Sequence, residues 1–383
     1  MKRFSVLAKL TVTPVRVALY AALVFLVVLF VILFTVFRDS IDDRTLDRFL
    51  RTFQLSDRTG AAATLLIDSH PQNQYGLYKS RLAVLSPERL VLYDKAGVES
   101  ASAVIRMENP VLRTAGNTAL VFDRGGGSCV VAREKEVEAV YEDEMIYTAV
   151  LTEGDCYAVA AYRSGYRGVV SVYDSSHYKR MEWYSAESGF IQDIAINKDA
   201  SLLAVAAVRQ EKDQLVSRLT FLKTNKSEPV ATVDIPDRLV VALYMMRDNL
   251  CVLLEDEVRF YKPGGDLIAT HDLEGRFFLD VRVSDDLCAI RAGRQASEYH
   301  SVLTLLDRSG KRIGDIALED VPVDAMHVAG PYAGILQNGA LSLYNAKAEL
   351  CFFEENHSDS KTFRVMPDGS VLLIGQDRAQ WVR

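Results

Sequence analysis

Apolar runs of four to seven residues alternate with polar turns along most of this chain, and the runs come in pairs. A first run is followed by a turn and then by a second run that often ends in an aromatic and an acid or amide. Leu82-Ala83-Val84-Leu85 leads to Leu90-Val91-Leu92-Tyr93-Asp94, and Tyr157-Ala158-Val159-Ala160 leads to Val169-Val170-Ser171-Val172-Tyr173-Asp174. Further copies end near Phe122-Asp123, Phe221, Tyr261, Leu306-Asp307, Tyr344-Asn345 and Trp381, at steps of 29, 51, 48, 40, 45, 38 and 37 residues. A mean step of about 41 residues is the length of one four-stranded propeller blade.

Turn residues punctuate the runs where hairpins need them, at Lys95-Ala96-Gly97, Lys262-Pro263-Gly264-Gly265, Arg308-Ser309-Gly310 and Pro367-Asp368-Gly369. No helical stretch of 10–15 residues separates the strands, which excludes a parallel α/β sheet. The pattern predicts an all-β, eight-bladed β-propeller over 61–383. Seven blades follow instead if the 29-residue step divides one blade in two. The last repeat is too short to be a whole blade. Thr64-Leu65-Leu66-Ile67 is placed to complete it and to remove the unpaired edge that an unfinished sheet would leave.

A different pattern precedes the propeller. Val17 to Phe37 is 21 residues without a charge, long enough to span roughly 30 Å as a helix. No small-residue cleavage site follows it, so it reads as an uncleaved transmembrane anchor. Residues 1–16 form a short basic tail, and 38–60 carry Ile41, Leu46, Phe49, Leu50 and Phe53 at helical spacing, as an amphipathic juxtamembrane stalk would. Lys and Arg number four on each side of the span. The acid-free tail then favours a single-pass plasma-membrane protein with a cytoplasmic amino terminus and an extracytoplasmic propeller.

Charge narrows the partners. The net charge is −7, and Lys2, Arg3, Lys9 and Arg16 supply +4 with no acid before Asp39, which leaves −11 on the rest. So acidic a domain is unsuited to nucleic acid. The five cysteines form no C-x-x-C pair, and Cys156, Cys251 and Cys288 share one place in their repeats, as small buried hydrophobes would. The six histidines lack metal-ligand spacing and are expected in loops or at the surface. No nucleophile elbow, phosphate-binding loop or cofactor motif is present, so no catalytic residue, metal or cofactor is assigned.

One constellation points to binding. Three repeats carry an expanded turn between their paired runs, at 163–168, 209–218 and 292–301. Equivalent hairpins of successive blades emerge on one face, around the channel mouth. That face would gather Arg163, Tyr166, Arg167, Arg209, Lys212, Arg218, Arg294, Tyr299 and His300. Cations and aromatics on an otherwise acidic domain suit an anionic polymer or an acidic patch on a protein.

With its amino-terminal span, charged stalk and Leu90-Val91-Leu92-Tyr93-Asp94-Lys95-Ala96-Gly97 phrasing, the chain resembles a group of uncharacterised clostridial-type bacterial proteins. That group forms a domain of unknown function with a WD-repeat-like or quinoprotein-like propeller. The resemblance implies topology and a Gram-positive cell surface. Gly-His and Trp-Asp signatures do not recur, tryptophan docking motifs are missing with only Trp183 and Trp381 present, and Asp boxes are absent. The expectation is therefore a non-catalytic binding or scaffold module. It would be held to the bilayer through 17–37 and would engage envelope proteins or an anionic wall polymer. The alternative is a polysaccharide lyase or glycoside hydrolase with acids converging at the channel mouth.

Overall fold

The computed structural model describes residues 64–382, apart from 80, 134–135, 143–144, 186–188, 227 and 295–299. The expected membrane span at 17–37 and stalk at 38–60 lie outside the described residues. Within those described, no helix is long and apolar enough to cross a membrane.

Among the described residues thirty-two strands, β1–β32, form eight four-stranded antiparallel sheets. Seven sheets take their strands in sequence order. The eighth pairs β30 (Ser360–Val365), β31 (Val371–Gly375) and β32 (Arg378–Trp381) with β1 (Thr64–Leu66). Thr64 faces Gln380 and Leu66 faces Arg378, so the amino-terminal strand finishes the last blade as its sequence position predicts. The 29-residue step is short because Phe122-Asp123 ends the second strand of its blade, β7 (Thr118–Asp123), and not the third, β8 (Ser128–Arg133); β6–β9 (110–142) are one whole blade. The ring has eight blades.

The core is eight clusters, one between each pair of neighbouring blades. Leu120, Phe122 and Val131 of blade 2 pack on Ile146, Tyr157 and Val159 of blade 3. The eighth cluster joins Leu372, Ile374 and Leu65 of the last blade to Leu82, Val84 and Val91 of the first. Each sheet is covered on both faces by its neighbours, so most of its two middle strands is buried. In β3 (Arg81–Leu85), Leu82 to Leu85 are all buried, which explains why these strands read as unbroken apolar runs. Outer strands alternate instead, as β25 (Arg312–Ala317) does.

Outside blade 2, the recurrent aromatic–acid phrase is the end of a third strand and the turn that leaves it. Asp94 Oδ1 accepts the amides of Ala96 and Val98, both at 2.9 Å. Asp174, Asp307 and Asn345 repeat this bond pair in their own blades. A side-chain oxygen that caps two amides makes a stable turn of a short polar segment. The turn then needs a left-handed residue, supplied by Gly97 (φ 78°) and Gly310 (φ 79°).

The eight first strands line the channel: β2 (Gln74–Tyr78), β6 (Pro110–Ala115), β10 (Ile146–Leu151), β14 (Phe190–Ile196), β18 (Val240–Met246), β22 (Phe277–Val283), β26 (Val323–Ala329) and β30. Six of them carry a bulge near their start, for example between Ile191 and Asp193. One consequence corrects an expectation. His327 is no loop or surface residue but belongs to the channel wall, on β26.

Candidate functional site

The channel wall is built from strand edges, which carry unpaired backbone groups. Polar side chains from one blade satisfy those of the next. Gln74 donates through Nε2 to Pro110 O (2.6 Å) and accepts the Leu112 amide at Oε1 (2.9 Å). Asp193 Oδ2 accepts the Leu243 amide (2.8 Å). Arg282 Nε donates to Met326 O (3.3 Å), and His327 Nδ1 accepts the Val365 amide (3.1 Å). Arg364 donates through Nε and Nη2 to Tyr75 O (3.0 and 2.8 Å). Polar residues at the centre of the ring thus hold it together where apolar packing would leave amides bare.

These rivets set the electrostatics of the waist. Burial, and then the charges of Arg364 and Arg282, pushes the His327 imidazole down to about 3, so the ring is neutral. Burial also lowers Arg364 to about 10, helped by the repulsion of Arg282. Arg113 on β6 is accessible along the channel, yet the surrounding protein lowers its pKa too. Burial raises the carboxyls of Asp193 and Asp280. Asp280 pairs with Arg282 at 3.3 Å.

The channel widens into a cavity of about 1580 Å³ on the face where first strands turn into second strands. All eight blades contribute to its wall. Its rim carries mixed charge: Glu153 pairs with Lys198, and Arg247 pairs with Asp286 at 2.6 Å. Asp285 holds its proton to higher pH than an ordinary carboxyl, first through burial and then through the charge of Glu153. Among the described residues no three His, Cys, Asp or Glu side chains gather as metal ligands.

The opposite rim carries the three expanded turns. They are the second-to-third-strand hairpins of blades 3, 4 and 6, and antiparallel order brings all three to one face. They stand one strand outward from the channel wall rather than on its edge. The longest joins β15 (Leu202–Glu211) to β16 (Gln214–Lys223), ten residues each against five to eight in most other strands.

Acids from the outer strands engage most of the cations there. Arg163 lies 3.9 Å from Glu182, and Arg218 meets Asp234 through Nε and Nη2 at 2.6 and 2.7 Å. Arg209 reaches Glu211 and Asp234. Lys212 is a turn residue with φ 53°, whose carbonyl accepts from Gln210. Arg294 is exposed, His300 lies 3.3 Å from Asp320, and Tyr299 is outside the described residues. Tyr166 packs on Tyr184 with ring centroids 4.5 Å apart. The Arg167 guanidinium stands 5.7 Å over the Phe190 ring.

That last contact leads to residues the sequence did not single out. Met145, Phe190, Val241 and Phe277 all sit where first strands begin, on this same face in blades 3 to 6, and all are exposed, Phe190 by 57%. The corresponding stretch is polar in blades 7 and 8, with exposed Asp324 and Lys361. With Tyr162, Tyr166 and Leu215 they make an apolar arc over half the ring. Runs such as Val240-Val241-Ala242-Leu243 gave no sign of it, because the bulge at Val241 breaks the alternation that would have marked it as outward.

A model of a family of unknown function, DUF5711, matches residues 59–383. The chain belongs to the DUF5711 family. No curated protein matches it. Similar solved structures include one titled as the mitotic checkpoint complex, at 12% identity and a TM-score of 0.48, over 72% of this chain and 90% of that one. The Pan2 WD40 domain of Neurospora crassa shows 12% identity and a TM-score of 0.46, over 71% and 87%. The computationally designed Ika8 protein shows 9% and 0.42, over 85% and 100%. For this DUF5711 protein, the blade count rests on its own sheets.

Proposed function

We propose that this DUF5711 protein is a membrane-anchored scaffold whose rim over blades 3 to 6 grips a protein or an anionic wall polymer outside the cell. The observation that carries the reading is the exposed arc of Met145, Phe190, Val241 and Phe277, bordered by Arg163 and Arg167. Aromatic and arginine side chains at the centre of a patch are the usual anchors of an interface. Anchoring through 17–37, with the basic tail inside, follows from the uncharged span and its flanks. The test is capture of partners from envelope extracts by the full chain. Phe190→Ser with Phe277→Ser, and separately Arg163→Ala with Arg167→Ala, lose the partner while the fold persists. Undiminished capture by both double variants would remove the rim from consideration.

A second reading places a glycoside hydrolase or polysaccharide lyase at the opposite, wider mouth. What favours it is Asp285, a carboxyl with the raised pKa that a general acid needs, beside other acids. Release of reducing or unsaturated sugar ends from wall polysaccharide, abolished in Asp285→Asn, would support it. Equal release by both proteins would dismiss it.

A further inference from the structure

We propose that the waist of the channel is an oxyanion site, in which Arg113, Arg282 and Arg364 receive a phosphate group. The site is independent of the rim and of any partner held there. Arg282 and Arg364 line the cavity with His327, Tyr244 and Thr362, and Thr114 to Gly116, next to Arg113, line it from blade 2.

Arg364 carries the strongest argument. Its nitrogens donate to Tyr75 O, Phe363 O (2.7 Å) and Thr362 Oγ1 (3.2 Å), all uncharged acceptors. Among the described residues no carboxylate pairs with it. A cation withdrawn from water without a counter-charge is costly, and an anion relieves that cost. A purely structural role does not call for the charge: Gln74 bridges blades 1 and 2 with a neutral amide donating to the same kind of carbonyl.

Arg113 points the same way. Among the described residues it makes no hydrogen bond and no ion pair, and it holds no blade to another. Arg113 is exposed on a channel-wall strand, where the charge of Asp193 supports it more than the charge of Arg282 opposes it, and Arg282 also lowers the pKa of Arg364. Against them stand Asp280, shared with Arg282, and Asp193, which already accepts the Leu243 amide. His327 adds no charge at neutral pH. The waist is therefore positive inside an acidic domain, and low-dielectric walls focus such a field on a diffusing anion. The guanidinium fork of Arg113 matches a phosphate in shape as well as charge, while Arg282 and Arg364, whose forks hold Met326, Asp280 and Tyr75, contribute charge. The phosphate arrives either free or as the end of an ester.

The experiment is calorimetric titration of the full detergent-solubilised chain at fixed chloride concentration, with inorganic phosphate in one arm and glycerol 3-phosphate in the other. Saturable binding is expected in at least one arm, and the stronger arm identifies the source. Arg113→Gln has no bond to lose and keeps the fold by circular dichroism. It weakens binding about tenfold, the size of one charge-assisted contact. Arg113→Lys restores part of the affinity. Two results overturn the proposal: no saturable binding of either probe up to about 10 mM, or wild-type affinity in both Arg113→Gln and Arg282→Gln.

Discussion

The guanidinium of Arg364 donates two hydrogen bonds to the carbonyl of Tyr75, a residue 289 positions earlier in the chain. This bond joins the wall strand of the last blade to that of the first. β1 closes the same junction at the outer edge by pairing with β32. The ring is thus fastened at both its inner and outer radius by residues from opposite ends of the sequence.

Closure gives a first prediction. Leu65 is buried in the cluster between blades 8 and 1, whereas its neighbour Leu66 is half exposed on the same strand. Leu65→Ala is expected to cost about 2–4 kcal/mol in denaturant unfolding. Leu66→Ala should stay within about 0.5 kcal/mol. Equal effects would mean that the closing strand contributes pairing alone and no packing.

Two glycines separate backbone strain from collision. Gly125 (φ 88°) and Gly310 (φ 79°) both adopt left-handed conformations. A Cβ on Gly125 meets nothing within 4 Å, whereas one on Gly310 lies 2.5 Å from Phe260 Cδ2. Gly125→Ala should cost about 1 kcal/mol, the conformational strain alone. Gly310→Ala adds overpacking against a fully buried ring and should cost at least about 1 kcal/mol more. Thermal unfolding of the two variants side by side checks the order.

The contrast between strands explains what the sequence revealed. Second and third strands are buried on both faces and appear as apolar runs, and the capped turn after Tyr93 or Tyr173 adds a fixed phrase; together they set the repeat. Even the closing role of Thr64-Leu65-Leu66 was legible. First strands were hidden, because bulges disturb their alternation and their polar residues serve the neighbouring blade. Arg113, Asp193, Arg282, His327 and Arg364 come from five blades, and no local spacing relates them. The expanded turns were visible as sequence, but the outer-strand acids that pair with their arginines, Glu182 and Asp234, lie 19 and 16 residues further on.

His327 should govern an acid limb of stability. Its folded pKa of about 3 lies below its ordinary value of 6.5, so between the two the unfolded chain binds the extra proton. Stability from the neutral ring is complete above about pH 6.5 and is lost as pH falls toward 3, by at most about 5 kcal/mol. His327→Asn offers an acceptor to the Val365 amide without titrating. Its unfolding free energy is expected to fall less steeply than that of the wild type between pH 6.5 and 4. Parallel curves would place the acid sensitivity elsewhere.

The membrane orientation has a single-residue probe. Cys129, Cys156, Cys251 and Cys288 are buried, as small apolar residues in strands are, and Cys351 is exposed. With the propeller outside, a membrane-impermeant maleimide applied to intact cells labels the full chain once, and Cys351→Ser removes the label. Labelling only after lysis would put the propeller in the cytoplasm and withdraw the cell-surface reading.

Asp234 distinguishes bracing from binding on the rim. On β17 (Pro229–Pro236) it takes Arg218 in a two-point pair and Arg209 more loosely, and the hydrogen bond from Arg218 holds its carboxyl below the usual range. A lowered carboxyl contributes stability that is present above its unfolded pKa near 3.8 and is lost as pH falls through the folded value. Because the carboxylate is partly exposed, Asp234→Asn should cost less than about 1 kcal/mol at neutral pH. The same change leaves the hairpin of β15 and β16 one unit more positive. If that hairpin meets an anionic partner, Asp234→Asn strengthens capture, Arg218→Gln weakens it, and both differences shrink in high salt. If the arginines only brace the hairpin, both variants lose stability and neither changes capture, and the anionic partner is excluded for this part of the rim.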